Sequence, residues 1–320
     1  KKKTFKNDKS LMKILGIGNA IVDVICKVDD NFLSKNDLNK GSMKLIFEQV
    51  EFEKLLNNLK IEKTVSGGSV ANSIVGLSQL GNKVGFIGKI SNDEFGVKYE
   101  DGLNKEKVKF LYKKKKETLP TGTCLILVTP DSERTMCTYL GTAGKINGDD
   151  IDTNAIEESE IVFLEGYLWD EGEPRKAFDK AIKHSNKTAM SLSDPFCVDR
   201  HKIHFLELVK NKLNLVFANE AEIMSLIDAR NFNEVISFGK QIKKHLIITR
   251  GDKGAISVFN NEIIEVGVKK NLKILDLTGA GDLFASGFLH GYINGISHKE
   301  CLEKGTEMSS KIIQQIGARI

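Results

Sequence analysis

Short apolar runs that stop at Asp, Asn or Gly, with helical stretches between them, constrain this chain's fold more than any other feature. KVGFIGKI, EIVFLEGYLW, KTAMSLSD, LNLVFAN and HLIITRG are a few residues long and rich in apolar side chains. That is the pattern of strands buried in a parallel sheet. EPRKAFDKAIKHS, EAEIMSLID and FNEVISFGKQIKKH lie between them with apolar residues at helical spacing, as does FEQVEFEKLLNNLK earlier. This alternation predicts an α/β fold of three layers, a mostly parallel central sheet with helices on both faces. MKILGIGNAIVDVICKV reads as an opening strand, broken at Gly16 and Gly18 and continued into a second.

One region breaks the rhythm. From Val108 to Gly141 the sequence gives short strands and turns with no helix, and Pro130-Asp131 suits a hairpin loop between GTCLILVT and RTMCTYLG. We expect one α/β domain over 12–320, a small β-sheet lid built from segments near 20–48 and 108–142, and a basic leader over 1–11. The run Lys113 to Lys116 reads as a solvated edge that discourages strand pairing.

Composition excludes several classes. No apolar run approaches the roughly 20 residues of a membrane span, so no membrane partner is expected. The leader lacks the apolar h-region of a signal peptide. The balance of 47 basic and 43 acidic residues, +4, comes without a basic stripe, so no nucleic acid is expected. Cys26, Cys124, Cys137, Cys197 and Cys301 are scattered and form no CxxC pair, as in the reduced thiols of a cytoplasmic protein. HKIH (His201, His204) lacks a third ligand for zinc.

Four motifs carry candidate chemistry. In DLTGAGDLFASGFLHGY, Gly279, Ala280 and Gly281 form a turn feeding a helix, a nest of N–H groups suited to an oxyanion or phosphate. Asp282 there is either the helix N-cap or a base that takes a hydroxyl proton while the nest stabilises a transferring phosphoryl group. In VSGGSVANSIVGLSQLG, Gly67 and Gly68 precede a helix that Ser69 is placed to cap, with Asn72 in its first turn within reach of vicinal hydroxyls. In FANEAEI, Asn219 and Glu222 have capping-box spacing, and the same pair suits a hydrated Mg²⁺ beside nucleotide phosphates. In IITRGDKGA, Thr249 and Gly251 lie at a strand's C-terminal end, where open α/β sheets bind ligands.

In this order the motifs, with GNAIVD and GKISNDEFG, resemble the ribokinase-like (PfkB) family of carbohydrate and nucleoside kinases from about Ile14 onward. TGAGD is the most specific of them. GNAIVDVI with GGSVANSI looks more like the adenosine kinase branch, and ERTMCTYLG, FLEGYLWDEGEPRKAF and LSDPFCVDRH look like bacterial members of it. The resemblance implies an ATP- and Mg²⁺-dependent kinase acting on the 5′-hydroxyl of adenosine, with a ribokinase- or fructokinase-like sugar kinase as the alternative. A catalytically silent sugar- or nucleoside-binding protein is the non-enzyme alternative.

Residue by residue, the resemblance makes Asp282 the base and Gly279, Ala280 and Gly281 the anion hole. It puts Asp23 and Asn72 on the ribose hydroxyls, with Asn19, Gly67 and Gly68 beside them. Asn219 and Glu222 organise Mg²⁺ through water; Thr249, Gly251 and Gly254 line the ATP site, and Thr278 contacts its phosphates. Arg134 on the lid reaches the transferring phosphate, or is simply a surface residue beside Glu133. Leu277 stands where a small polar residue is common in the family, and it neither excludes K⁺ nor supports it. Tyr167, Trp169 and Phe196 are either stacking partners for a base or packing residues. The state of assembly stays open between monomer and homodimer. A dinucleotide site in GIGNAI is disfavoured because Ile21 stands where a third small residue belongs.

Overall fold

The computed structural model describes residues 12–320, so the basic leader lies outside the described residues. In chain order its strands are β1 (Ile14–Ile17), β2 (Ile21–Lys27), β3 (Met43–Leu45), β4 (Ile61–Gly67), β5 (Val84–Ile87), β6 (Lys109–Phe110) and β7 (Gly122–Val128). They continue as β8 (Arg134–Tyr139), β9 (Ile161–Glu165), β10 (Thr188–Ser191), β11 (Leu215–Asn219), β12 (His245–Thr249), β13 (Ala255–Phe259) and β14 (Glu262–Val266). The larger sheet runs β14-β13-β12-β11-β10-β9-β1-β5-β6, and the smaller runs β3-β8-β7-β2-β4. From β12 to β6 the larger sheet is parallel, and β13 and β14 extend it antiparallel.

Side-chain pattern explains the two roles. β1, β5 and β9 are buried along their whole length, because helices cover both faces. Alternate residues feed two cores. Ile14, Phe86, Phe163 and Phe217 pack with Ile74, Phe284 and Phe288 on one side, while Leu15, Ile87, Leu164 and Val216 pack with Phe178, Phe205 and Val235 on the other. β2 instead alternates, with Val22, Val24 and Cys26 buried and Asp23 on the opposite face. A sheet covered on one side requires that pattern.

The chain crosses between the sheets at Gly18–Ala20. Gly16, read from sequence as part of the break, sits inside β1, where a Cβ would meet Ile74 Cγ1 at 2.5 Å. The smaller sheet also differs from the two segments expected. It includes β4, which follows a helix at Gln49–Asn57, and residues 109–110 join the edge of the larger sheet. β7 and β8 form the hairpin around Pro130-Asp131. The lysine run is partly engaged: Lys114 pairs with Glu100, and the Lys115 carbonyl accepts the Asn92 N–H at 2.9 Å.

A buried ion pair pins the end of β5 to the segment before β9. Lys89 is 4% exposed and its Nζ lies 2.8 Å from Asp150 Oδ2. Removing one partner of such a pair leaves an uncompensated buried charge. Lys89→Met is therefore expected to cost about 3 kcal/mol or more in a denaturant titration. A loss under about 1 kcal/mol would show that the pair is not desolvated.

Candidate active site

β1, β9, β10, β11 and β12 end on one edge of the larger sheet, the edge where doubly wound folds hold ligands. A cavity of about 570 Å³ opens there. Its walls include Ser69, Ser73, Tyr167, Ser191, Asn219, Glu222, Thr249, Gly251 and the Gly279–Asp282 turn.

Small residues bring two helices together over that edge. The helix Ser69–Gln79 packs on Ala280–Ile293, with Ser286 Oγ donating to the Ser73 carbonyl at 2.7 Å and Ser73 Oγ to the Asp282 carbonyl at 2.8 Å. A Cβ at Gly76 would meet Ser286 Oγ at 2.5 Å, so the approach depends on glycine there. The N-cap of the second helix is Gly279, left-handed at φ 80°, and among the described residues no side chain caps it. Asp282 is therefore not the cap. It is the third helical residue, and its carboxylate accepts Ser69 Oγ at 2.6 Å and Asn72 Nδ2 at 3.1 Å from the facing helix. Burial raises its pKa, opposed by those two hydrogen bonds and the charge of Arg319. A Cβ at Gly281 would meet nothing within 4 Å among the described residues, which leaves room beside the first-turn N–H groups.

Ser69 is not a cap either. The cap position is Gly68 at φ 106°, where a Cβ would run into the Asn19 carbonyl, and Ser69 begins the helix with its hydroxyl turned to Asp282. Gly67 leaves space for Asp23, whose Oδ2 a Cβ would meet at 2.5 Å. The Asp23 carboxyl is pushed up to about 7 by burial, against the charges of Arg319 and Arg134. Asn19 Oδ1 is a buried acceptor with no partner among the described residues, adjoining this acidic corner.

At the other end, Asn219 and Glu222 do form a capping box: Asn219 Oδ1 accepts the Glu222 N–H at 2.8 Å and Glu222 Oε1 accepts the Asn219 N–H at 3.1 Å. Glu222 Oε2 keeps no protein hydrogen bond among the described residues, and both side chains reach the cavity wall. That spare oxygen fits a water of a hydrated magnesium ion, which prefers few direct protein ligands. Burial pushes the Glu222 carboxyl up to about 7, opposed by its bond to Asn219 and reinforced by Asp194 and Asp282.

Several expected residues have other partners. Gly254, at φ 89°, abuts the Val266 carbonyl and serves the β12–β13 turn, outside the cavity wall. The Thr278 hydroxyl is committed to Asp276 Oδ1 at 2.6 Å. Arg134 is no bare surface residue: its Nη1 lies 3.2 Å from Asp276 Oδ2, which joins the smaller sheet to the TGAGD turn. Tyr167 lines the cavity at 42% exposure, whereas Trp169 is buried between His201 and His204 and Phe196 projects outward at 75%.

Two residues escaped sequence reading. Glu165, 1% exposed at the end of β9, accepts the Asn19 N–H at 2.9 Å and the Val70 N–H at 3.0 Å. It ties the crossing between sheets to the start of the Ser69–Gln79 helix. The acid closing the apolar run IVFLE was its signal. Arg319 donates from Nε to Asn72 Oδ1 at 2.8 Å and from Nη2 to the Ser66 carbonyl. No spacing pointed to it.

The model of the pfkB family of carbohydrate kinases matches residues 17–320. The chain belongs to that family. The kinase superposes on adenosine kinase from Sinorhizobium meliloti with a TM-score of 0.87 and 35% identity, covering 97% of this chain and 96% of that one. It superposes on a probable sugar kinase from Rhizobium etli with a TM-score of 0.85 and 34% identity, covering 96% and 94%. Among curated relatives it is 24% identical to adenosine kinase 2 of Arabidopsis thaliana, over 95% of this chain and 94% of that one. The fold expected from sequence stands, and the kinase is an ATP-dependent phosphotransferase. Among the described residues no helix is long and apolar enough to cross a membrane, and the five cysteines are free and buried.

Proposed function

We propose that the kinase transfers the γ-phosphoryl group of ATP to the 5′-hydroxyl of adenosine, giving AMP and ADP. The observation that carries this reading is the Asp282 carboxylate, held by Ser69 and Asn72 at the cavity wall between the Gly279–Gly281 turn and the Asp23 corner. Asp282 takes the proton as the acceptor oxygen forms its bond to phosphorus and the bridging bond to ADP breaks. The N–H groups of the turn face the charge on the transferring group. Asp23, Asn72 and Asn19 hold the sugar hydroxyls, and the orphaned Asn19 Oδ1 is an acceptor suited to one of them.

Asn219 with Glu222 is the pair suited to hold the waters of a hydrated Mg²⁺, which when bound would neutralise phosphate charge. Thr249, Gly251 and the exposed Leu277 line the nucleotide end. Arg134 is in reach of that end once it exchanges Asp276 for phosphate, and Tyr167 is the aromatic positioned to meet a base. A sugar acceptor is the second reading, favoured by the likeness to the Rhizobium etli protein.

A coupled assay over adenosine, ribose and fructose decides between them. Adenosine is expected to give the highest kcat/KM by at least about 100-fold, because buried groups built for one acceptor reject those lacking its polar atoms. A preference for either free sugar would overturn the nucleoside reading.

A further inference from the structure

We propose that Arg319 is a positioning residue for the acceptor end of the site. Its guanidinium fixes the Asn72 amide, through Asn72 it fixes the Asp282 carboxylate, and it sets a positive charge where Asp23 and Asp282 both feel it. The inference rests on reading Asp282 as the base.

An amide can present either its oxygen or its NH₂ group to a neighbour, and its partners decide which. Asn72 has its oxygen taken by Arg319 Nε at 2.8 Å, so its NH₂ group turns to Asp282 Oδ2 at 3.1 Å. Without the arginine the amide oxygen loses its partner, and only the bond to the carboxylate itself holds the Asn72 side chain, so the group that aims Asp282 is no longer fixed from its far side. The second arginine donor goes to the carbonyl of Ser66, next to Gly67 and its contact with Asp23. One side chain thus braces both walls of the acceptor corner.

The backbone delivers Arg319 there by construction. Gly317 donates to Asp276 Oδ2 at 2.9 Å, and the Leu275 N–H donates to the Ile313 carbonyl at 2.8 Å. Ala318 lies against Gly279, where a Cβ would meet the alanine Cβ at 2.7 Å. The Gly317–Arg319 segment is therefore stitched to the very turn that carries the anion nest.

Nor is Arg319 a simple ion-pair partner. Burial disfavours its charge while Tyr99, Asp23, Glu106 and Asp282 favour it, and among the described residues its side-chain donors go to an amide oxygen and a backbone carbonyl rather than to a carboxylate. A buried guanidinium bonded to two neutral acceptors beside two acids is arranged to aim groups and bias charge. The charged groups that face Asp282 are Arg319, Glu165 from β9 and Glu222 from the helix Glu220–Leu226.

The full chain carries the test, with adenosine and Mg-ATP and with Asp282→Asn in parallel. Arg319→Met is expected to lower kcat at least about tenfold, since small losses of alignment cost that much. It should raise the acceptor KM while leaving the ATP KM within about twofold. The acidic limb of kcat should move to higher pH, because the charge that favours ionised Asp282 is gone. Arg319→Lys should return the limb towards wild type and recover kcat only in part, having charge without the planar fork.

Wild-type kcat and an unmoved limb in Arg319→Met, with Asp282→Asn inactive, would overturn the positioning role alone. Turnover by Asp282→Asn at the wild-type rate would overturn the base reading and this inference with it. If Arg319→Met does not fold, Arg319→Lys decides: lowered kcat at an unchanged Tm supports the proposal, and wild-type kcat sinks it.

Discussion

Asp282→Asn is expected to lower kcat by about 100-fold or more while the melting temperature stays within a few degrees. The two halves of that result come from different atoms. The amide of asparagine can set its oxygen towards Asn72 Nδ2, whose own oxygen is held by Arg319, and its NH₂ group towards Ser69 Oγ, because a hydroxyl accepts as well as donates. Both contacts that hold position 282 are kept, but as weaker bonds between neutral groups, which costs about 1 kcal/mol. Removal of a carboxylate whose charge burial already disfavours offsets part of it.

No helix cap is lost, because the cap is Gly279. What asparagine cannot supply is a lone pair basic enough to take the hydroxyl proton. Steady-state kinetics at saturating ATP, with a thermal melt of the same sample, read both quantities. Turnover within about tenfold of wild type would remove Asp282 from the chemistry.

How far the sequence carries depends on whether a feature is local. The strands of the larger sheet were legible because burial on both faces forces continuous apolar runs, as in β9. The smaller sheet was legible only in outline. Its β4, IEKTVSG, has three exposed residues and little apolar content, and it belongs there through pairing with β2, a contact no local pattern shows. Gly16 looked like a break because glycine weakens a strand interior. Here a helix approaches β1 too closely for any side chain.

The site divides in the same way. The Gly279–Asp282 turn and the Asn219–Glu222 box are contiguous, and their spacing declares them. The ambiguity at Asp282 between cap and base was physical, since both uses place an acid in the first helical turn. Gly279 holds the cap position, and the Asp282 carboxylate turns instead to Ser69 and Asn72 on the facing helix, more than 200 residues away, which no local pattern shows. Arg319 shows the limit. Its partners Ser66 and Asn72 lie some 250 positions earlier, and a lone arginine after Gly-Ala carries no signature.

Glu222→Gln is expected to stabilise the free protein above neutral pH while depressing activity. Glu222 is 5% exposed, and burial pushes its carboxyl up from 4.5 to about 7. Below pH 4.5 native and unfolded chains both hold the proton. Between 4.5 and about 7 the native chain still binds a proton that the unfolded chain has released, so each rise in pH favours unfolding. Above about 7 the native group must ionise in its buried place and the loss is complete. Glu165 and Asp23, also pushed up to about 7 mainly by burial, act in the same direction.

Stability measured by denaturant midpoint should therefore fall between about pH 6.5 and pH 8, since below that range His245, whose imidazole burial pushes down to about 3, acts in the opposite direction. Glutamine serves the capping box as well as glutamate does, because only Oε1 is used there. The variant should flatten part of that fall and gain about 2 kcal/mol at pH 8. Its kcat with Mg-ATP should drop at least about tenfold, since the spare oxygen that suits a magnesium-bound water becomes an NH₂ group. A variant no more stable than wild type at pH 8 would mean that Glu222 is ionised without cost in the folded chain. A variant more stable yet fully active would mean that its carboxylate does not serve the metal.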